Sequence, residues 1–185
     1  SLIAEPTLEE VVVSARKVDE SVQDVPIAMS VFTASDINDA GIERPEDFIA
    51  LTPNVVMANT VNVGDTLVTI RGLTSTRDAE SNFAFVVDGV LQTNPNAFNR
   101  ELLDIAQIEV LKGPQGALYG RNATSGAILI TTKAPSDEPE SSAVVGMGIN
   151  NSSKLQYVNS SKMGDNVYTR FSVSTRETDG EHTNV

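Results

Sequence analysis

The sequence predicts an α+β unit followed by antiparallel strands that have one apolar and one polar face. The first indication is the order of patterns in residues 26–133, where short helical patterns come early and short strand patterns come late. The second is a polar, proline-containing segment, residues 134–141, after which the pattern changes. The third is the alternation of apolar with small or polar residues within residues 142–185. Such period-two alternation is typical of strands with one apolar face.

Residues 1–25 precede the folded pattern and are expected to be flexible. Their longest β-branched run is Val11-Val12-Val13, and three consecutive β-branched residues favour a strand over a helix. Two interpretations of this run are open at the level of composition. It is either an edge strand of the local domain or a strand that adds to the edge of a partner's sheet.

The α+β unit begins at Pro26, and residues 27–32 have a strand pattern. Thr33 and Asp36 form the sequence pattern of a capping box, which predicts a short helix that ends at Gly41.

A second helix is predicted to start near Pro45, because proline is favoured in the first turn of a helix. This helix should bury Phe48, Ile49 and Leu51 and end before Pro53.

Short strands and polar loops follow these helices. The strands are predicted at residues 55–58, 67–70, 83–87 and 90–91, and the loops at residues 59–66, 74–82 and 92–99. Asp88-Gly89 is a hairpin turn signal between the last two strands. A short helical turn is predicted around Leu102, Leu103 and Ile105.

A glycine-rich stretch, residues 108–133, contains two strand patterns around a break at Gly113-Pro114. Its glycines are at positions 113, 116, 120 and 126. Glycine is used where φ is positive or where another segment passes close by, so we expect close backbone approach in this stretch. The alternative is an ordinary loop between two core strands.

The composition excludes several functions. A formal net charge of −12 is unfavourable for a nucleic-acid surface, which needs clustered Lys and Arg. The absence of cysteine excludes disulfides and thiolate chemistry. His182 is the one histidine and has no carboxylate or histidine at a suggestive spacing. With no nucleophile, base or metal set, the sequence predicts neither an enzyme, nor a cofactor, nor a metal site.

No run of ~18 apolar residues is present, so no transmembrane helix is predicted. The alternating strands after residue 141 have the sequence pattern of a membrane β-barrel with polar inward faces. The alternative is a three-stranded meander on a soluble domain, which would leave an apolar face uncovered.

Three motifs together resemble those of TonB-dependent outer-membrane receptors. IEVLKGPQGALYGRNATSGAILITTK, residues 108–133, is similar to the plug signature of that family. Ile70-Arg71-Gly72 and the segment Phe85–Val90 match the family in the same order. Glu9–Ala15, EEVVVSA, resembles the TonB box. The resemblance covers residues 8–176.

The resemblance implies an N-terminal segment with a TonB box (1–25), an α+β plug domain with a small mixed sheet and short helices (26–133), a linker (134–141) and the first strands of an incomplete barrel (142–185). It implies an outer-membrane receptor whose N-terminal segment lies in the periplasm. The plug would gate energised uptake of a scarce ligand such as a ferric siderophore. The alternative function is a soluble periplasmic plug-like module for binding or interaction.

The resemblance also implies partners and site residues. The partners would be TonB, the remainder of the barrel, outer-membrane lipid and a small ligand such as a siderophore, haem, cobalamin or glycan. Arg71 and Arg121 match family arginines that face carboxylates of the barrel wall. The residues expected to bind TonB are Glu10, Val11, Val12, Val13 and Ser14. The residues expected to bind ligand from the apical loops are Arg77, Asp78, Asn82, Asn94 and Asn96.

Overall fold

The computed structural model describes residues 11–13, 20–21, 27–59, 66–74, 81–120, 123–148 and 151–179. The chain divides into two compact units, Ser1–Thr131 and Thr132–Val185.

Short strands dominate the described part of the first unit. They are β1 (Val12–Val13), β2 (Glu20–Ser21), β3 (Met29–Thr33), β4 (Val55–Asn59), β5 (Thr66–Ile70), β6 (Leu73–Thr74), β7 (Phe83–Val87), β8 (Val90–Leu91), β9 (Ile105–Lys112) and β10 (Gly126–Thr132). The helices are α1 (Ala34–Asp39), α2 (Pro45–Ala50), a 3-10 helix (Pro95–Asn99) and α3 (Gly116–Tyr119).

A five-stranded mixed sheet with the order β3-β9-β10-β7-β8 forms the centre of this unit. β7 and β10 are parallel, whereas β3 pairs antiparallel with β9, and β7 with β8. Strands β4, β5 and β6 form a separate antiparallel sheet. The predicted strands at residues 83–87 and 90–91 and their Asp88-Gly89 turn are confirmed.

Alternate residues of the five-stranded sheet enter two different cores. Ile108, Val110 and Ile128 are buried in the larger core, which also contains Phe48 from α2. Phe98 of the 3-10 helix contacts other rings of this core edge-on. We call this side of the sheet the helix face.

The opposite side of the sheet forms a smaller core with the N-terminal strand. Leu111 of β9 and Leu129 of β10 are buried there together with Val13 of β1. We call this side the β1 face.

The capping box of α1 is confirmed. The backbone N–H of Thr33 donates to Oδ2 of Asp36 at 2.8 Å, and the backbone N–H of Asp36 donates to Oγ1 of Thr33 at 3.3 Å. The hydrogen bond that the Thr33 hydroxyl donates to Oδ2 of Asp36, together with the bond from the Thr33 backbone N–H, lowers the pKa of the Asp36 carboxyl.

The expectation for α2 is only partly correct. Pro45 occupies the first turn, and Phe48 and Ile49 are buried. Leu51, predicted to be buried, is 54% exposed. It is the C-cap residue, where the chain has left the helical repeat that directs Phe48 and Ile49 into the core.

The helical turn predicted around Leu102, Leu103 and Ile105 is wrong. The turn of helix occurs earlier, at Pro95–Asn99, and Ile105 is the first residue of β9. Between them, the backbone N–H of Leu102 donates to the carbonyl oxygen of Glu43 at 2.8 Å. This tertiary bond holds the segment outside a helix.

The second unit contains three antiparallel strands, β11 (Glu140–Gly148), β12 (Ser152–Lys162) and β13 (Tyr168–Glu177), in that order in the described sheet. Ala143, Tyr157 and Val173 lie opposite one another on the apolar face. Val145 and Met147 extend this face and are 70% and 90% exposed.

None of the helices in the described segments has the length and apolarity needed to cross a bilayer.

Candidate functional site

Two of the three predicted TonB-binding valines, Val12 and Val13, form strand β1 of the first unit. β1 pairs antiparallel with β2, with Val12 opposite Ser21 and Val13 opposite Glu20. Val13 is 2% exposed, whereas Val12 is 48% exposed. In this structure the segment is therefore a local strand, which is one of the two open interpretations. Glu10 and Ser14 lie outside the described residues.

A glutamine on β9 contacts the backbone of this N-terminal strand. Nε2 of Gln107 donates to the carbonyl oxygen of Val12 at 3.0 Å and to Oε1 of Glu109 at 3.1 Å. Because side chains alternate along a strand, Gln107, Glu109 and Leu111 all lie on the β1 face.

Glu109 is an acidic side chain in an apolar setting, with 1% of its surface exposed. Tyr119 packs against the smaller core on the β1 face. Burial and the nearby charge of Glu109 raise the pKa of the Tyr119 hydroxyl. Gln107 and Glu109 were missed from the sequence, where polar residues two apart in an otherwise apolar strand are the one available signal.

Arg71 lies in the turn between β5 and β6, with a positive φ of 51°. Its backbone N–H donates to the carbonyl oxygen of Asn54 at 2.9 Å. A Cβ added to Gly113 would lie 3.3 Å from Nη1 of Arg71, so this side chain passes beside the Gly113 backbone. Arg71 is exposed within its own unit. Exposure is a condition for the predicted contact with a barrel wall. Arg121 lies outside the described residues.

Asn82, next to the start of β7, bonds both β6 and the residues that precede β10. Its Nδ2 donates to the carbonyl oxygen of Leu73 at 3.1 Å. Its own carbonyl oxygen accepts from the backbone N–H of Ser125 at 2.9 Å, and from the hydroxyls of Ser125 and Thr124 at 2.9 and 3.2 Å. The structure thus gives this ligand candidate a supporting role between segments.

The other candidates from the apical loops are only partly described. The carbonyl oxygen of Asn94 accepts from the backbone N–H of Ala97 at 3.0 Å, and Asn96 lies within the 3-10 helix. Arg77 and Asp78 lie outside the described residues. Within the part of the chain that the structure describes, no group of three or more His, Cys, Asp or Glu side chains is arranged to hold a metal ion.

Comparison with known proteins identifies the family. The family model of the TonB-dependent Receptor Plug Domain matches residues 21–127. The Pesticin receptor of Yersinia enterocolitica is 31% identical over 136 residues, which are 73% of this chain and 20% of that protein. The Vitamin B12 transporter BtuB of Vibrio vulnificus (strain YJ016) is 27% identical over 184 residues, which are 96% of this chain and 29% of that protein.

Solved structures show the same fold. The ferric yersiniabactin uptake receptor FyuA from Yersinia pestis superposes with a TM-score of 0.73 at 27% identity, over 82% of this chain and 24% of that one. The pyoverdine outer membrane receptor FpvA from Pseudomonas aeruginosa PAO1 has a TM-score of 0.78 at 19% identity, over 90% of this chain and 24% of that one. The predicted fold class, an α+β plug followed by antiparallel barrel strands, is confirmed.

The chain spans 20% of the Pesticin receptor and 29% of BtuB. These relatives are named as a receptor and a transporter and not as enzymes, in agreement with the expectation from the sequence. Receptors of this family are outer-membrane proteins with the plug on the periplasmic side. The chain belongs to the TonB-dependent receptors and contains their plug domain.

Proposed function

We propose that this chain gates the energised uptake of a scarce small ligand and that TonB binds it through β1. The observation that supports this best is the Val12–Val13 strand, which precedes a plug domain and has one exposed and one buried valine. Its neighbours Glu10, Val11 and Ser14 complete the proposed contact.

Strand pairing is a suitable way to transmit force. A partner strand that adds to β1 would form backbone hydrogen bonds, which grip the chain with little demand on side-chain identity. Tension on β1 would reach the plug through β2 and through the packing of Val13 on the β1 face.

The cargo we propose is a ferric siderophore, with cobalamin as the second candidate. Similar proteins include a ferric yersiniabactin uptake receptor and a vitamin B12 transporter. Arg77, Asp78, Asn82, Asn94 and Asn96 are the proposed ligand contacts, since polar loops on a rigid scaffold often bind ligands.

The domain limits are part of the same proposal: the TonB-box segment at 1–25, the plug at 26–133, the linker at 134–141 and the barrel strands at 142–185. Arg71 and Arg121 would pair with carboxylates of the barrel wall. Guanidinium groups bind carboxylates in a bidentate manner, which suits a partly desolvated interface.

The test of the TonB site is Val12→Pro in the whole receptor. Proline removes a backbone donor and resists strand pairing, so energised uptake should be lost while ligand binding at the cell surface persists. Val12→Thr, which keeps the donor and the β-branch, is the matched control and should transport normally. Normal uptake by Val12→Pro would refute the proposal, and loss of ligand binding would show that the segment is structural.

The cargo is tested by growth of a strain that lacks the receptor. We expect this strain to grow poorly under iron limitation and normally on a medium where growth depends on the uptake of added cobalamin. The reverse pattern would assign the receptor to cobalamin.

A further inference from the structure

A polar side chain of β9, Gln107, forms a hydrogen bond with the backbone of β1, the N-terminal strand. Val13 packs among apolar side chains of the β1 face, a contact that many apolar residues could make. Gln107 instead donates to the carbonyl oxygen of Val12, at 3.0 Å. A backbone carbonyl is the kind of acceptor that pairing with a partner strand uses.

We propose that Gln107 holds β1 against the plug and that Glu109 is the positioning residue that orients the Gln107 amide. We call these two residues the β1 latch. The inference rests on the proposed binding of TonB to β1, because the latch would control how often β1 is available to a partner.

The chemistry of the amide supports the role of Glu109. A glutamine side chain has an NH₂ end that donates and an oxygen that accepts. The carbonyl of Val12 and the carboxylate oxygen of Glu109 both accept, and both lie within 3.1 Å of Nε2. Only the NH₂ end satisfies both contacts at once. An ionised Glu109 therefore selects the amide orientation that can bond β1.

The position of Glu109 makes this selection effective. Its side chain is 1% exposed, so water competes little for the oxygen that faces Gln107. β9 is itself held between β3 and β10 in the five-stranded sheet. Both residues of the β1 latch therefore lie on an inner strand of the five-stranded sheet, whereas β1 is part of a separate two-stranded sheet.

Release of β1 would uncover apolar surface as well as break the Gln107 bond. Val13 would leave Leu111 and Leu129, and Tyr119 borders the same cluster. The two contributions can be separated experimentally, because Gln107 substitutions remove the polar bond and leave the apolar contacts of Val13 in place.

The chain has no cysteine, so a thiol introduced here is the one thiol within its 185 residues, and mass spectrometry of the peptide that carries it reports on that position. In the whole receptor, Val13→Cys places a thiol at a site that is 2% exposed while β1 is docked, and maleimide labelling measures how often it is released. Ala84→Cys on β7, at a site that is 1% exposed, reports opening of the sheet itself.

Gln107→Leu should increase the labelling rate of the Val13→Cys receptor by about threefold to tenfold, the factor that one lost hydrogen bond produces. Gln107→Lys, which can donate to both acceptors, should restore the slow rate. Glu109→Gln should give an intermediate rate. Gln92→Leu is the matched control, since Nε2 of Gln92 donates to the carbonyl oxygen of Val90 in the adjacent strand β8.

If the Val13→Cys receptor were labelled at the same rate with and without Gln107→Leu, the proposed β1 latch would be refuted. An equal rise in the labelling of the Ala84→Cys receptor would overturn it too, because it would mean general loosening. If Glu109→Gln left the labelling rate of the Val13→Cys receptor unchanged, the positioning role of Glu109 would be refuted. Binding of the purified TonB C-terminal domain is measured separately: faster labelling without TonB binding would support the latch and refute the proposed TonB site.

Discussion

The backbone of Gly126 runs directly beside the carbonyl group of Leu111. A Cβ at this position would collide with that carbonyl oxygen and would also lie 3.2 Å from Cδ1 of Ile70. By contrast, a Cβ added to Gly116 would have no atom within 4 Å. The expectation of close backbone approach in the glycine-rich stretch therefore applies to Gly126, while Gly116 is in open space.

Gly126→Ala should destabilise the plug by about 3 kcal/mol, because the carbonyl of Leu111 belongs to the five-stranded sheet and the buried Ile70 belongs to β5, and neither can move without disturbing its own sheet. Gly116→Ala, in α3, is the control and should be neutral or slightly stabilising. Urea unfolding followed by circular dichroism measures both. Equal midpoints for the two variants would contradict the prediction.

The capping carboxylate of Asp36 predicts a pH dependence. Hydrogen bonds from Thr33 lower its pKa from the ordinary 3.8, so this stabilisation is present above that value and is lost as the pH falls through the folded-state pKa. Asp36→Ala should cost about 0.5–1 kcal/mol at neutral pH, a modest amount because the site is exposed. The difference from the unsubstituted protein should shrink in acid.

The measurement is the free energy of unfolding from pH 7 down to pH 3. Asp39→Ala removes another carboxylate from the same helix, one whose bond from Ser35 is 3.4 Å long, and serves as the control. A difference for Asp36→Ala that stayed constant across this range would argue against the capping role.

At the level of elements, patterns confined to neighbouring residues were the most predictive. The hairpin of β7 and β8 was correct because its turn residues and both strands are adjacent in sequence. The short helix near residue 100 was misplaced because the decisive bond joins Leu102 to Glu43, a distant part of the chain. The same limit applies to the site: Gln107 bonds Val12 across a separation of 95 residues.

The segment after β10 also has contacts that composition does not show. Glu140, Ser160 and Arg170 lie in one row across β11, β12 and β13. Arg170 donates through Nη1 to the carbonyl oxygen of Ala134 at 3.4 Å and lies 3.3 Å from Oε2 of Glu140. The backbone N–H of Ser136 donates to the hydroxyl of buried Ser160 at 2.8 Å. The predicted linker is thus bonded to the strands that follow it.

Arg170→Met should therefore make residues 134–139 more sensitive to proteases, by about threefold to tenfold, since the variant removes a charge-assisted bond and a backbone contact. Limited proteolysis of the receptor in membranes, with the cleavage sites identified by mass spectrometry, measures the rate. Arg176→Met, on the same face of β13, is the control. Equal cleavage in both variants would mean that Arg170 does not hold the segment.

On the scale of the whole molecule, the first unit buries large apolar side chains in its cores, whereas the second exposes several of them on one face. The first unit has two buried cores on either side of its five-stranded sheet. The second exposes apolar side chains such as Met147 and Phe171 on one face of a three-stranded sheet. This difference was predictable, because period-two alternation is visible in sequence, whereas the packing of β1 onto the sheet depends on contacts between distant segments.

Arg71 offers a test of how the plug is retained in the receptor. The residue is exposed within its own unit and its backbone is held by the bond to Asn54, which supports the proposal that its guanidinium pairs with a carboxylate of the barrel wall. A partly exposed pair of this kind is worth at most ~1 kcal/mol, which corresponds to about a fivefold change in the population of a loosened plug. Arg71→Ala should therefore raise the uptake of a large antibiotic by up to about fivefold in cells that produce the whole receptor. Arg44→Ala is the matched control, because Arg44, the N-cap residue of α2, already pairs with Glu46 of that helix at 3.6 Å. Equal permeability in the two strains would show that Arg71 does not hold the plug to the wall.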